Sequence, residues 1–408
     1  MNKKDKTALT PKYRFLEFKS AEKWKMVPLN LLAIKVTNKN KNSLVTRVLT
    51  NSAVDGVVDQ SDYFEREIVT QSNVSNYFIV NEGDYVYNPR ISASAPVGPI
   101  SKNKIGTGIM SPLYTVFRFN NPQNDFYEQY FKTNLWNDYL KTVANTGARY
   151  DRISISANDF MAMPLPFSSK TEQQKIADCL SSLDDLITAE DKKLSALKDH
   201  KKGLMQKLFP AEGKTVPELR FPEFIDGKEW SRYTLSNICV NLDSKRIPIT
   251  EKERKSGFTP YYGASGIVDY IDGFIFDEYL LCVSEDGANL VARTYPIAFS
   301  ISGKTWVNNH AHVLKFESKF TQILVENYLN HTDLRDFLTG MAQPKLNKAK
   351  LDSIPIPLPG KREQQKIADF LSSVDKLIAA QTEKIEGLKV HKKGLMQGLF
   401  PSVEEVSQ

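Results

Sequence analysis

The sequence predicts an α+β chain in which two mixed α/β globular domains are joined by two long antiparallel coiled-coil helices, arranged as a pseudo-twofold internal repeat. Three observations predict this: a long segment occurs twice, each copy carries a heptad seam, and the stretches around the copies alternate short apolar strands with one amphipathic helix. The copies run from Glu172 to Pro210 and from Glu363 to Pro401, with 27 of 39 aligned positions identical. The remainder of the two halves is almost unrelated, so one constant frame holds two different domains.

The seam of the first copy is Ile176, Leu180, Leu183, Ile187, Leu194, Leu197, Leu204 and Leu208, with Glu190 and Lys201 filling its two gaps. The second reads Ile367, Leu371, Val374, Ile378, Ile385, Leu388, Leu395 and Leu399, with Gln381 and Lys392 at the matching gaps. Steps of four and three sustained for about five heptads give a helix of ~37 residues and ~55 Å. A rod this long cannot bury its seam in one small domain, so the other copy is the natural partner. Two related halves closing on each other favour the antiparallel pairing. Glu190 and Gln381 then meet near mid-helix and set the register at some cost in stability. Each rod follows a strand with proline at alternate positions, Met163–Phe167 or Ile354–Pro359, which fits only an edge strand. Each rod stops at Phe-Pro. The expected boundaries are 1–170, first globular domain; 171–210, first helix; 211–361, second globular domain; 362–401, second helix; and 402–408, tail.

A weaker repeat marks the start of each globular part. Pro11, Arg14, Phe15 and Phe18 precede Trp24, as Pro217, Arg220, Phe221 and Phe224 precede Trp230. This strap is read as core anchoring by its aromatics. In the first domain, 77–90 reads as two short strands around a Glu-Gly-Asp turn and 109–119 as one strand. In the second, 279–288 and 310–316 read as strands. Amphipathic helices are expected at 126–143 and 321–339, each followed by a glycine loop, at 146–152 or 339–345, and a polar helix start.

Hydrophobic content of 41% and aromatic content of 11% in 408 residues call for folded domains, not a disordered chain. A formal charge of +6 permits a polyanionic partner without demanding one. The charged N-terminus offers no signal-peptide core, and no apolar run approaches the ~20 residues of a membrane helix. Three scattered cysteines, Cys179, Cys239 and Cys282, favour a reducing cytoplasm.

The glycine loops hold the best candidates for phosphate or base contacts, because glycine admits close backbone approach beside Arg, Gln and Lys donors. These are Arg149, Tyr150 and Arg152 in the first domain, and Gln343, Lys345 and Lys348 in the second. Arg90, Lys102, Lys104, Lys245, Arg246 and Lys304 are further candidates, each more readily read as a solvated charge than as a base reader. The tools of an enzyme are missing: no P-loop, no Gly-x-Gly-x-x-Gly after a strand. Asn88-Pro89-Arg90 falls short of the Asn-Pro-Pro-aromatic motif of adenine methyltransferases, and Asp243-Ser244-Lys245 lacks a second acid. His310 and His312 have no cysteine or carboxylate placed by sequence to complete a metal site. No catalytic or metal-binding residue is assigned.

The Glu-Gln-Gln-Lys-Ile-Ala start and Lys-Lys-Gly-Leu-Met-Gln-x-Leu-Phe end, duplicated around two unlike domains, resemble the specificity subunit of type I restriction–modification enzymes. The Pro-x-x-Arg-Phe strap, Tyr-Asn-Pro-Arg, Ser-Pro-Leu-Tyr and Ala-His-Val-Leu strings resemble it too. The resemblance implies two target recognition domains, each reading half of a split sequence in double-stranded DNA. It implies that the helices dock two methyltransferase subunits, and restriction subunits through them, with Lys175, Ile176, Leu180, Leu183, Ile187, Lys366, Ile367, Leu371, Val374 and Ile378 on the docking segments. S-adenosylmethionine, ATP and Mg would belong to those partners, leaving this chain non-catalytic and without a cofactor. A duplicated coiled-coil adaptor that binds only proteins is the alternative.

Overall fold

Neither copy of the repeat contains proline before its closing Phe-Pro, and in the computed structural model each is one unbroken 39-residue helix, α1 (Lys170–Leu208) and α2 (Lys361–Leu399). The structure describes residues 8–63, 71–145, 151–340 and 343–401, so the tail at 402–408 lies outside the described residues. The chain divides into two units, Met1–Ala189 with Ile385–Gln408, and Glu190–Lys384. Each unit therefore contains half of each helix.

Within the first unit, the start of α1 lies along the end of α2. Ile176, Ala177 and Leu180 share a core with Leu399 and Phe400, and Lys392 bonds Asp184. Within the second unit the same arrangement is built from the other halves: Met205, Leu208 and Phe209 pack with Ile367, Ala368 and Leu371, and Lys201 bonds Asp375 at 2.6 Å. Pairing of low with high residue numbers makes the helices antiparallel in each unit. The expected mid-helix contact is present: Gln381 Nε2 donates to the Glu190 carboxylate at 2.6 Å and its carbonyl at 3.0 Å. Lys384 holds the other Glu190 oxygen at 2.6 Å. Among the described residues the proline-spaced strands are edge strands, Pro164–Phe167 pairing only with Trp24–Pro28 and Pro355–Leu358 only with Ser231–Thr234.

The straps do more than anchor aromatics. Trp24 and Trp230 are buried, but each strap also sends an arginine into its helix start. Arg14 grips Glu172 with two bonds of 2.7 and 2.9 Å, and Arg220 grips Glu363 with two of 2.8 Å. The Glu that opens each repeat is thus a buried partner for the strap, which explains why both motifs recur together.

One sheet is built twice. In the first unit β1 (Ala33–Lys35), β2 (Tyr85–Tyr87), β3 (Ile100–Lys102) and β4 (Thr115–Phe119) lie in the order β1-β4-β2-β3, all antiparallel. In the second, β5 (Val240–Asn241), β6 (Leu280–Ser284), β7 (Ala298–Ile301) and β8 (Ala311–Lys315) take the order β5-β8-β6-β7, again antiparallel. Two sequences with little identity thus share a topology, because both supply short apolar strands of the same order.

Some expected elements differ. The Glu-Gly-Asp turn stands between Phe78–Val80 and β2 as expected, with Gly83 at φ 87°. The stretch 109–119 is two strands, Gly108–Met110 and β4, not one. Pro112 has no N–H to give a ladder, and Tyr114 N closes a turn on Ser111 O at 3.0 Å. The helix expected over 126–143 is two, Asp125–Phe131 and Asn137–Val143. Thr133 breaks it: its hydroxyl donates to Tyr130 O at 2.7 Å and accepts from Leu135 N, competing with the helical bonds. In the second unit the helix is Lys319–His331, followed by a short 3-10 turn, Arg335–Phe337.

Candidate nucleic-acid interface

In each unit the segment after the second sheet strand crosses the segment before the last short helix, and the two cross-links are equivalent. In the first unit Arg90 pairs with Arg152, with Ile91 N on Asp151 O at 3.1 Å and Ile153 N on Pro89 O at 2.9 Å. In the second Asp286 pairs with Lys345, with Gly287 N on Pro344 O at 3.1 Å and Leu346 N on Glu285 O at 2.8 Å. The short helices that follow start as expected. Ser156 caps Ala157–Met161 by accepting from Asp159 N, and Asn347 caps Lys348–Asp352 by accepting from Lys350 N.

The structure thus brings Arg90 and Arg152 together, 62 residues apart in sequence. Arg90 is exposed and its guanidinium has no ion pair among the described residues. Arg152 reaches only Asp151, at 3.5 Å, and its buried Nε has no acceptor among the described residues. Lys102 and Lys104 are engaged elsewhere, on Asp125 at 2.6 Å and Glu128 at 2.7 Å, so they brace the sheet against a helix. Arg149 and Tyr150 lie outside the described residues.

In the second unit Arg246 is a structural hub. Its guanidinium bonds Glu285 at 2.7 Å and Ala311 O at 2.8 Å, and its Nε donates to Asp243 O at 3.1 Å. Lys345 rests on the same Glu285 at 3.3 Å while staying half exposed. His312, 1% exposed, holds Asp243 at 2.6 Å through Nδ1 and Leu346 O at 2.7 Å through Nε2, and His310 meets Asp286 at 2.8 Å. Three loops are therefore tied together. Gln343 and Lys245 are exposed, Lys348 bonds Asp352 at 2.6 Å, and Lys304 lies over the Phe274 ring. Gly340 has its own cause: at φ 81°, a Cβ would sit 2.6 Å from Gln343 O, so the turn requires glycine irrespective of any phosphate.

Burial pushes the Asp243 and Glu285 carboxyls up, but bonds from His312 and Arg246 outweigh it and hold both below the usual range. A depressed carboxylate stabilises the fold above its unfolded pKa, and that contribution is lost as pH falls through the folded one. The melting temperature should therefore fall as pH drops below ~4. Asp243→Asn should lower it at neutral pH and flatten that acid slope, as read by melting curves across pH. An unchanged slope would contradict the assignment.

The seam side chains Ile176, Leu180, Ile367, Leu371 and Val374 are buried in their own units, and Leu183, Ile187 and Ile378 are half-buried. The chain itself covers the first five, while Leu183, Ile187 and Ile378 stay partly accessible. Lys175 and Lys366 remain half exposed, on Glu17 and Glu223. Sequence reasoning passed over Leu186 and Leu377, which are 40% and 58% exposed at the same position of the two copies. Their identity in both copies, off the heptad seam, was the available signal.

Comparison with known proteins agrees with this duplicated build. A putative type I restriction enzyme specificity subunit of Haemophilus influenzae is 33% identical over 155 residues, spanning 38% of this chain and 40% of that protein. A type I restriction enzyme specificity subunit of Methanocaldococcus jannaschii is 25% identical over 79% of both chains. A crystal structure of a type I restriction–modification S subunit from M. genitalium shares the fold, with TM-score 0.60 at 14% identity, covering 96% of this chain and 99% of that one. Among the described residues no helix is long and apolar enough to cross a membrane. The family model for the type I restriction modification DNA specificity domain matches residues 8–199 and 227–390, and the chain belongs to that family.

Proposed function

We propose that this chain is the non-catalytic, DNA-reading subunit of a cytoplasmic type I restriction–modification complex. Each globular domain reads one half of a bipartite duplex target, and the helices dock two methyltransferase subunits and, through them, restriction subunits. S-adenosylmethionine, ATP and Mg belong to those partners. The observation that carries the reading is one sheet and one loop cross-link built twice on a duplicated helix, with different side chains displayed at the cross-link. A repeated frame with unlike displays suits two readers of two different sequences. Docking is assigned to the outward helix faces, where Lys175 and Lys366, and Leu186 and Leu377, recur in register.

The test is to map methylated adenines in DNA exposed to the assembled complex. Two short half-sites separated by a fixed spacer are expected; a single continuous site would refute the two-reader assignment. A complex with no salt-dependent affinity for duplex DNA would favour the protein-only adaptor. One heptad inserted into both helices adds ~10 Å, or about 3 base pairs. The recognised spacer should then lengthen or binding should be lost, and an unchanged site would defeat the role of the helices.

A further inference from the structure

The two cross-links are superimposable in their hydrogen bonding but not in their charge. In an antiparallel pair, directly opposed residues project to the same face. One face therefore carries Arg90 with Arg152 in the first unit, and Asp286 with Lys345 in the second. At one position of the pair the sign is kept, Arg152 against Lys345. At the other it is inverted, Arg90 against Asp286.

The phosphate backbone is the same at both half-sites, so a cation that grips phosphate in one reader keeps a favourable partner in the other, whereas an acid at that place is repelled. A position whose sign inverts suits base edges, which differ between the half-sites and offer acceptors at one base and donors at another. Arg90 is exposed and makes no ion pair among the described residues, which leaves its fork of donors free. Asp286 has one oxygen held by His310 Nδ1 at 2.8 Å and its side chain is 23% exposed, so the other oxygen remains an acceptor. Guanine offers paired acceptors, O6 and N7, in the major groove, and cytosine offers an amino donor at N4.

We infer that Arg90 and Asp286 are base-reading, specificity-determining residues, Arg90 for a guanine in one half-site and Asp286 for a cytosine amino group in the other. Arg152 and Lys345 are the matching backbone contacts. This assignment rests on the bipartite DNA reading above and deepens it.

The experiment maps methylated sites for the complete complex carrying the native chain, Arg90→Lys, Arg90→Gln or Asp286→Asn. Arg90→Lys keeps the charge and removes the bidentate fork, and its exposed site leaves packing intact. Arg90→Lys and Arg90→Gln should each relax one G·C position in a single half-site, with discrimination falling roughly 5- to 150-fold. Asp286→Asn should relax one position in the other half-site only. The inference is overturned if the motif is unchanged in all variants, or if both sites relax the same half. It is also overturned if Arg90→Gln weakens binding equally on every sequence and lowers the salt slope by about one, the behaviour of a phosphate contact. A native complex with no bipartite motif would sink the functional reading itself. A native motif with unmoved variants would sink only the base-reading assignment.

Discussion

Replacing Arg14 with alanine should destabilise the first unit by ~3–5 kcal/mol, because it strands a buried carboxylate without its partner. Glu172 is 1% exposed and Arg14 8%, and the two share a bidentate contact of 2.7 and 2.9 Å. The same guanidinium donates to Ala21 O at 3.0 Å and Glu22 O at 2.8 Å, so the loop before Trp24 loses its tether as well. Thermal unfolding should shift down by roughly 6–20 °C for a unit of this size. Arg14→Lys should recover little, since an ammonium cannot reproduce the fork. The double change Arg14→Ala with Glu172→Gln should recover part of the loss, because the buried charge has been removed. Arg220→Ala should act alike in the second unit, where Trp230 Nε1 also reaches Glu363, at 3.4 Å. A shift near zero for both arginines would mean the pairs contribute nothing to holding straps on helices.

Gly98→Ala should damage both stability and the proposed DNA contact. Gly98 has φ 82°, and a Cβ there would lie 2.0 Å from Asn88 O and 3.2 Å from the Tyr87 ring. The left-handed backbone alone costs an alanine ~1–2 kcal/mol. The clash adds to this, since the obstructing atom is backbone and cannot rotate away. Relief requires moving Asn88, whose N–H bonds Pro99 O at 3.0 Å, and with it Pro89 and Arg90. The cross-link to Arg152 would open, so binding to the native target should weaken together with the melting temperature. Gly83→Ala is the control: φ is 87° there, but nothing lies within 4 Å of the added Cβ. It should lose only the backbone term. Equal losses for the two variants would show that the approach to Asn88 is not what demands Gly98.

The helices were legible because a coiled-coil seam writes itself locally. Ile176, Leu180, Ile367 and Leu371 are spaced by a period that no strand or loop shares, and the mid-helix meeting of Glu190 with Gln381 follows from antiparallel symmetry alone. The prolines of the edge strands and the caps at Ser156 and Asn347 are local rules of the same kind. The break at Thr133 was not legible, because a hydroxyl competing for Tyr130 O leaves the apolar period undisturbed. Nor was the fate of the candidate cations. Lys102, Lys104 and Arg246 read alike with Arg90 as charges in polar stretches, but acids from other elements occupy the first three, Lys348 is held by Asp352 of its own helix, and Arg90 has no ion pair among the described residues.

By itself the sequence determined the duplication and the family resemblance and favoured the antiparallel direction of the helix pair, since each depends on residues near one another in the chain or on identity between copies. Only the tertiary structure decided that Arg14 belongs to Glu172, that the seam residues are buried in their own chain, and that Arg90 stands where Asp286 stands. The physical reason is that charge pairing and ladder equivalence are distances in space. Residues 158 apart in sequence, such as Arg14 and Glu172, carry no mark of their closeness until the chain has folded.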